Sequence, residues 1–370
     1  MSKSKNELSC RLGKVGGQAV LEGVMMKAGD RTVTSCRKPD GSIYVNDTTF
    51  VSVRQKNKFL NIPILRGIVN FIEMMKLSMQ TMTASAEALG LEEEEETKFE
   101  KWLKKHFKAS IVDFIMVVGV VLAVALSLFL FLFLPNFISE LINKYIFNGG
   151  LGVWTAVTEG VLKVVIFLTY LWAVSLMPDI KRTFMYHGAE HKSIACFEAG
   201  DELTPENAKK HTRFHPRCGT SFMFLTILIG IFAGFFIKFV IPGIEDRFWA
   251  YTFIRLGILP LLMGLGYEVI RLAGKHDNVI TRIMSAPGIW AQRLTTKEPT
   301  EDMLEIAIIS LKCALRDDFP EFKEFYESRG WEKKDTVETE SSAETEESAE
   351  GSEQAKSVPA FDAEPKEEEA

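Results

Sequence analysis

The residues with the clearest chemical potential lie in the segment YHGAEHKSIACFEAG, residues 186–200. His187 and His191 stand four positions apart, with Glu190 between them. On an α-helix such a pair lies on one face about one turn apart, so both imidazoles can ligate one metal ion. The order H-x-x-E-H is also the spacing of inverted zinc metallopeptidases. The segment therefore predicts two metal ligands and a catalytic carboxylate, Glu190, which could alternatively orient a ligand or only solubilise the helix.

A second group of potential ligands follows in HTRFHPRCGTSF, residues 211–222. His215 and Cys218 complete our leading ligand set, and His211 is a substitute because it stands at i and i+4 from His215. Imidazole and thiolate together are the ligands that zinc prefers, so zinc is the predicted cofactor. Between the two groups, Thr204 as N-cap and Pro205 at the first position predict a helix that brings them together.

The number of ligands decides what such a site does. Three protein ligands leave a position for water and allow hydrolysis, whereas a tetrahedral site of three histidines and Cys218 is closed and structural. Two simpler interpretations also stay open, namely that the histidines form a polar helical turn and that Cys218 is a small buried residue.

Four long apolar stretches surround these groups and predict transmembrane helices at about residues 110–134, 153–177, 219–241 and 252–273. In the second stretch, Glu159 and Lys163 are spaced to pair or to snorkel. The fourth is weaker because Arg255, Glu268 and Arg271 flank a short uncharged core, so it either spans or is buried against the other helices. Glu268 and Arg271 could pair and face the metal site, or snorkel.

The loop charges predict the orientation of these helices. The segment KFEKWLKKHFK before the first stretch is strongly basic, as is the loop between the second and third stretches, whereas the loop between the first two is nearly uncharged. The positive-inside rule then places both termini and the 186–218 segment in the cytoplasm of a multi-pass cell-membrane protein. The expected partners are a lipid bilayer and a lipidic or membrane-protein substrate, with no nucleic acid.

The overall prediction is a membrane α-helical fold with a small β-rich cytoplasmic domain and a disordered acidic tail. Before the membrane, QAVLEGVMM, TVTSC and SIYVND predict short strands, with a Pro-Asp-Gly turn in RKPDGS. A helix with apolar residues near helical spacing follows, and it either lies in the membrane interface or packs on the bundle. The predicted segments are a lead (1–15), the β-rich domain (16–60), the amphipathic helix and a charged linker (61–108), the transmembrane region (109–274) with its cytoplasmic metal-site loop (178–218), a cytoplasmic helical segment (275–333) and the tail (334–370).

The distribution of charges and cysteines further restricts the structure expected for this chain. The tail holds about 13 acids against about 3 bases, so it carries about −10 and leaves the rest of the chain near +4, against a formal net charge of −6 for the whole. It also has too few apolar residues to offset the entropy of ordering. The five cysteines are scattered without a CxxC pair, so we expect no disulfide framework. The polar N-terminus predicts no cleavable signal peptide.

Several motifs together resemble the YqhQ-like family of bacterial membrane proteins, domain of unknown function family 1385. The resemblance runs from about residue 16 to about residue 315 and rests on GGQAVLEGVMMK, RKPDGSI, PILRGI, YHGAEHKSIACFEAG, RFHPRCGTSF, YEVIRLAGK and PGIWAQRLTTKEP. It implies a metal-dependent enzyme of the bacterial inner membrane, but no reaction or substrate. It also makes Glu22, Gln292 and Arg293 further candidate site residues, with local packing as the alternative.

Three functions therefore compete. The first is a zinc-dependent hydrolase at the cytoplasmic membrane interface, in which Glu190 activates water. The second is a metal-stabilised structural or adaptor membrane protein without catalysis. The third, a transporter, is the weakest because the predicted spans carry few acids near the bilayer midplane.

Overall fold

The computed structural model describes residues 11–90, 111–244, 247–275 and 279–319 of the 370-residue chain. The predictions for the acidic tail, for the charged linker from residue 91 onwards and for most of the N-terminal lead fall outside these residues. Four of the five cysteines are described, and each is a buried free thiol.

The N-terminal part of the chain forms a four-stranded antiparallel sheet of neighbouring strands, β1 (Val15–Val20), β2 (Gly23–Ala28), β3 (Arg31–Arg37) and β4 (Ile43–Thr49). The predicted turn at Pro39, Asp40 and Gly41 joins β3 to β4 and is confirmed. The single strand expected over QAVLEGVMM was wrong, because the chain reverses at Glu22 and forms two strands. Glu22 has a φ of 48°, the left-handed conformation that such a tight reversal demands.

Helices make up most of the rest of the structure. After the short α1 (Val53–Lys56) and one 3₁₀ turn, they are α2 (Leu65–Ala88), α3 (Ile111–Leu128), α4 (Leu134–Tyr145), α5 (Thr155–Val174), α6 (Pro178–Ala199), α7 (Pro205–Lys210), α8 (Gly219–Val240), α9 (Phe248–Lys275), α10 (Val279–Thr295) and α11 (Glu301–Ala314). The predicted cap of α7 is confirmed, since the Thr204 hydroxyl accepts from the Asn207 N–H at 3.3 Å.

Four helical segments of the described chain are long and apolar enough to cross a membrane: Val118–Tyr145, Gly152–Val174, Gly219–Val240 and Phe248–Leu272. We call them the four spans, and they are compatible with a multi-pass membrane protein. The first extends past its predicted end at residue 134, because a π-helical turn at Phe129–Phe133 lets the helix continue through Pro135. A wider turn accommodates a proline that lacks an N–H and would otherwise clash with the preceding turn. The fourth span is long enough despite its flanking charges.

The charged residues inside the bundle pair with one another. Glu159 contacts Lys163 at 2.8 Å and also the Arg255 guanidinium, and the Tyr251 hydroxyl donates to it at 3.3 Å. Glu159 is 1% exposed, so this carboxylate neutralises buried cations that have little access to water. Of the two options for Glu159 and Lys163, pairing is therefore the one that the structure adopts.

The sheet is covered on both faces. Val24, Met26 and Val33 pack with α6 and α11, whereas Met25 and Cys36 on the opposite face pack with Leu77 of α2 and with Phe50. Neighbouring residues of β2 point to opposite faces of the sheet, so both faces supply apolar side chains. The β-rich segment and the helical segment after the spans thus share one core, in which α6 is a central element.

The ion pairs in the bundle give the first testable prediction. We expect Glu159→Gln to destabilise the folded protein by about 3–5 kcal/mol, because it leaves buried cations without their carboxylate. Thermal unfolding of the detergent-purified protein measures this as a lower apparent melting temperature. Val161→Ala on the same helix is the control, since Val161 is 58% exposed and should change stability little. Equal shifts for both variants would contradict the assigned role of Glu159.

Candidate metal centre

The centre is built on α6, whose middle is polar and yet buried. Glu190, His191, Lys192 and Ser193 follow one another along this helix and are each at most 5% exposed. Neighbouring residues on a helix point in different directions, so α6 must be surrounded on several sides. The sheet lies on one side of α6, α11 on another, and the loop that carries α7 on a third.

Three predicted ligands come together at this point. One ligand atom each from His187, His191 and Cys218 lies within 4.8 Å of the others. The His187 Nε2 is 3.2 Å from the Cys218 Sγ, and the rings of the two histidines are 4.4 Å apart. The predicted helical face with both imidazoles is therefore present, and the following loop brings the thiol to it. We refer to these three residues as the His/His/Cys cluster.

Both imidazoles are oriented by backbone carbonyl groups. The His187 Nδ1 lies 2.9 Å from the Thr295 carbonyl oxygen, and the His191 Nδ1 lies 2.6 Å from the Arg213 carbonyl oxygen. A carbonyl oxygen only accepts, so each Nδ1 must carry the proton, and in the neutral ring Nε2 is left with its lone pair. Burial lowers the pKa of His191, which favours its neutral form. This arrangement is the one that usually orients zinc-binding histidines.

The sulfur of Cys218 lies at a helix N-terminus and accepts a hydrogen bond. Cys218 is the N-cap residue of α8, where the partial positive charge of the helix N-terminus favours an anion. The Thr220 hydroxyl also donates a hydrogen bond to the sulfur at 3.3 Å. Ligand atoms of a tetrahedral zinc site are roughly 3.5 Å apart. The 3.2 Å between the His187 Nε2 and the Cys218 Sγ is close to that spacing, and imidazole and thiolate are donors that zinc binds.

Glu190 lies beside the cluster and is only partly satisfied. The Gly17 N–H donates to its carboxylate, and its Oε2 lies 3.9 Å from the His187 Nε2. Within the described part of the chain, this Oε2 is a buried oxygen without a hydrogen-bond partner. Burial raises the pKa of Glu190 to about 7, although His187 and the Gly17 N–H oppose the shift. A buried carboxylate oxygen next to three possible metal-binding residues is positioned to exchange protons or to bind a polar molecule.

The other two histidines of the predicted set are engaged elsewhere. His215 is close to the cluster, with its ring 5.5 Å from that of His191, but its Nε2 lies 3.6 Å from Glu198 and 3.4 Å from Arg217. The His211 Nε2 contacts Asp201 at 2.8 Å. The structure therefore groups His187, His191 and Cys218 and leaves both His215 and His211 outside.

The end of α10 and the segment after it support the centre. Gln292 is fully buried, accepts from the His215 N–H at 2.8 Å and donates to the His215 carbonyl at 2.7 Å. Gly188 lets this segment approach α6, because a Cβ at that position would lie 2.0 Å from the Lys297 carbonyl oxygen. Gln292 thus fixes the position of the His215 backbone in the second ligand loop.

Sequence reasoning missed the two carbonyl partners, Thr295 and Arg213. Their backbone oxygens carry no residue-type signal, because every residue has the same carbonyl group. It also missed Glu198, which contacts both His215 and Arg217. The only available hint was that Glu198 lies within the same 186–200 segment.

The remaining candidates lie outside the His/His/Cys cluster. Glu22 binds Arg182 and the Tyr186 hydroxyl, so it ties the β1–β2 turn to the part of α6 that leads into His187. Arg293 and Arg271 are exposed. Glu268, which was expected either to pair with Arg271 or to snorkel, forms an ion pair with Arg66 of α2.

The fold and the cluster define a class of protein, namely a helical protein with four potential membrane spans and a His/His/Cys group where the spans meet a sheet. Residues 62–317 match the sequence profile of the family described as "Protein of unknown function (DUF1385)". The chain is also 37% identical over 306 residues to "Uncharacterized protein YqhQ" of Bacillus subtilis (strain 168), an alignment that covers 81% of this chain and 92% of that protein. The chain therefore belongs to the YqhQ-like DUF1385 family. No solved structure matches it.

The family profile matches a shorter part of the chain than we expected from the motifs, whose resemblance to the family began at about residue 16. Its match starts at residue 62, so the sheet lies outside it. The alignment with the Bacillus protein is longer than the profile match. The profile match thus covers α2, the four spans and the residues of the His/His/Cys cluster.

The close approach at Gly188 gives a second testable prediction. We expect Gly188→Ala to destabilise the protein by about 1–3 kcal/mol or more, because the new methyl group meets a backbone carbonyl that cannot move away easily. Apparent melting temperatures measure the effect. Gly219→Ala is the matched control, since a Cβ at Gly219, next to Cys218, would meet nothing within 4 Å. If the two variants melted alike, the assigned close contact at Gly188 would be incorrect.

Proposed function

We propose that this chain is a multi-pass cell-membrane protein with both termini in the cytoplasm, and that it is a zinc-dependent hydrolase. The proposal of an enzyme rests on the His/His/Cys cluster and on the Glu190 Oε2 beside it, which has no hydrogen-bond partner in the described structure. Three protein ligands are typical of catalytic zinc sites, which keep one position open. The orientation is supported by the basic loops around the spans, as the positive-inside rule requires.

Each residue of the centre has a defined part in this proposal. His187, His191 and Cys218 hold the metal through Nε2, Nε2 and Sγ, and the carbonyls of Thr295 and Arg213 fix the two rings. Zinc supplies Lewis-acid chemistry and the activation of water. Glu190 accepts the proton of the attacking water and returns it to the leaving group. Because Glu190 is buried, bulk water does not reach the proton that its carboxylate carries.

The location of the centre favours a substrate that comes from the membrane. Cys218 is the residue directly before the third span, so the cluster lies at the end of the bundle. A lipid or the membrane-proximal segment of another membrane protein reaches this level without leaving the bilayer. We therefore expect a lipidic or membrane-protein substrate.

A second candidate function rests on His215. Its ring is 5.5 Å from that of His191, so a rotation away from Glu198 would bring a fourth ligand towards the cluster. The site would then be closed, and the metal would stabilise the junction between the bundle and the sheet. The protein would in that case be structural or an adaptor.

Metal content is the third testable prediction. We expect stoichiometric zinc in the detergent-purified protein, and a thiolate-to-cobalt charge-transfer band after cobalt replacement that Cys218→Ser abolishes. His211→Ala is the matched control, because His211 contacts Asp201 and lies outside the cluster. Elemental analysis and absorption spectra give the result, and absence of metal from the unmodified protein would refute the proposal. His215→Ala should leave the cobalt spectrum unchanged if the site has three ligands and alter it if the site is closed.

The role of Glu190 is the fourth testable prediction. Glu190→Gln keeps the size of the side chain but cannot accept a proton, so we expect it to retain zinc and to lose about 10²–10⁴-fold in activity. Complementation of a deletion strain measures this without a known substrate, with protein level and zinc content checked in parallel. Full complementation by Glu190→Gln, together with failure of Cys218→Ser, would favour the structural function.

A further inference from the structure

Helix α2 buries several polar residues and exposes several large apolar ones. Glu73, Thr81 and Ser85 are buried, whereas Ile72 is 61% exposed and Met75 is 55% exposed. A helix on the surface of a water-soluble protein has the opposite arrangement. The outward face of α2 is therefore adapted to surroundings other than water.

The buried polar groups explain why the helix has this orientation. The Glu73 carboxylate accepts from the Ser52 hydroxyl and from the Val53 N–H, each at 2.7 Å. The Thr81 hydroxyl accepts from the Gln18 side-chain amide at 2.6 Å. Rotating α2 to hide its apolar face would break these bonds and leave buried polar groups unpaired, so the orientation is fixed by the protein itself.

The exposed apolar surface extends beyond the helix. Phe59 and Ile62, in the turn before α2, are 68% and 45% exposed, and Met79 on α2 is 55% exposed. Together with Ile72 and Met75, we call these residues the outer apolar face. An apolar group of this size is more than the scattered exposed residues of an ordinary surface and indicates contact with a membrane or a partner.

The outer apolar face begins where the spans end. Gly67 of α2 packs so closely on α9 that a Cβ there would lie 2.9 Å from the Gly264 Cα, and Arg66 pairs with Glu268. The ring of Phe71 lies 6.2 Å from that of Phe222 on α8. Phe222 is one turn after Cys218, so α2 starts at the same end of the bundle as the metal centre. The apolar face is thus continuous with the surface of the spans.

The charges around this face favour one kind of occupant. Lys56, Lys58 and Lys76 are exposed and flank the apolar residues along the chain. Apolar side chains bordered by lysines are the composition of segments that lie in a membrane interface, where the ammonium groups meet anionic headgroups. A protein groove would require a matching shape, whereas a lipid surface requires only this combination.

We infer that Lys56–Met79 forms an interfacial membrane-binding element that inserts the outer apolar face into the leaflet nearest the metal centre and pairs its lysines with anionic lipid headgroups. This inference is independent of the hydrolase proposal and holds with or without zinc. The element holds the sheet at the membrane surface, because α2 contacts the spans at one end and the sheet further along.

A fluorescent probe tests the insertion and is our fifth prediction. Bimane is attached to Met75→Cys in a Cys10→Ser background, and the full-length protein is placed in nanodiscs that contain a doxyl-labelled phospholipid. We expect several-fold stronger quenching at position 75 than at Glu87→Cys, an exposed polar position further along the same helix. Protein without the added cysteine measures the background from native thiols. Equal quenching at positions 75 and 87 would overturn the inference.

Two further measurements separate the alternatives. If a second copy of the chain covers the face, Met75→Cys should cross-link between chains and escape quenching, which would also overturn the inference. The headgroup preference predicts stronger quenching with phosphatidylglycerol present than in phosphatidylcholine alone. Replacement of Lys56, Lys58 and Lys76 by glutamine should remove this difference. The same quenching in both lipids would refute the part of the inference that concerns anionic headgroups.

Discussion

The structure depends on the burial of a polar helix. The middle of α6 carries a carboxylate, an imidazole, an ammonium group and a hydroxyl in sequence, and all four residues are buried. A buried polar group must find a hydrogen-bond or charge partner to avoid a large loss of stability. Most of the surrounding elements meet this requirement: β1 supplies the Gly17 N–H to Glu190, and the loop before α8 supplies the Arg213 carbonyl to His191.

The same requirement joins parts of the chain that are distant in sequence. Lys192 donates to the Lys209 carbonyl at 2.9 Å and contacts Glu298 at 3.0 Å, so α6 holds both the α7 loop and the segment after α10. Breaking any of these contacts would leave a charged or polar group buried without compensation, which costs more than the contact itself contributes. Two groups of this stretch are exceptions, since the Glu190 Oε2 and the Ser193 Oγ have no hydrogen-bond partner in the described structure. Of these two, only Glu190 lies beside the His/His/Cys cluster and can ionise.

The sequence predicted much of the centre because helical spacing is a strong constraint. His187 and His191 at i and i+4 had to share a face, the Thr204 cap had to begin a helix, and Glu159 could reach Lys163. The sequence did not show that His215 would turn towards Glu198, since both a ligand role and an ion pair suit a histidine at that spacing. Nor did it show that α2 would bury Glu73 and Thr81 while exposing Ile72 and Met75, because apolar periodicity reports which residues share a face but not what covers that face.

The sequence by itself determined the elements: four apolar stretches long enough to span, a helix with two histidines on one face, strands before the first span, and the pool of possible ligands. Only the tertiary structure decided which ligands meet, which carbonyls orient them and which carboxylate is left partly unpaired. The physical reason is that spacing along a helix fixes neighbours within about one turn. Contacts between segments as distant as His187 and Thr295 depend instead on how whole elements pack, and that packing is set by the combined burial and pairing of many side chains.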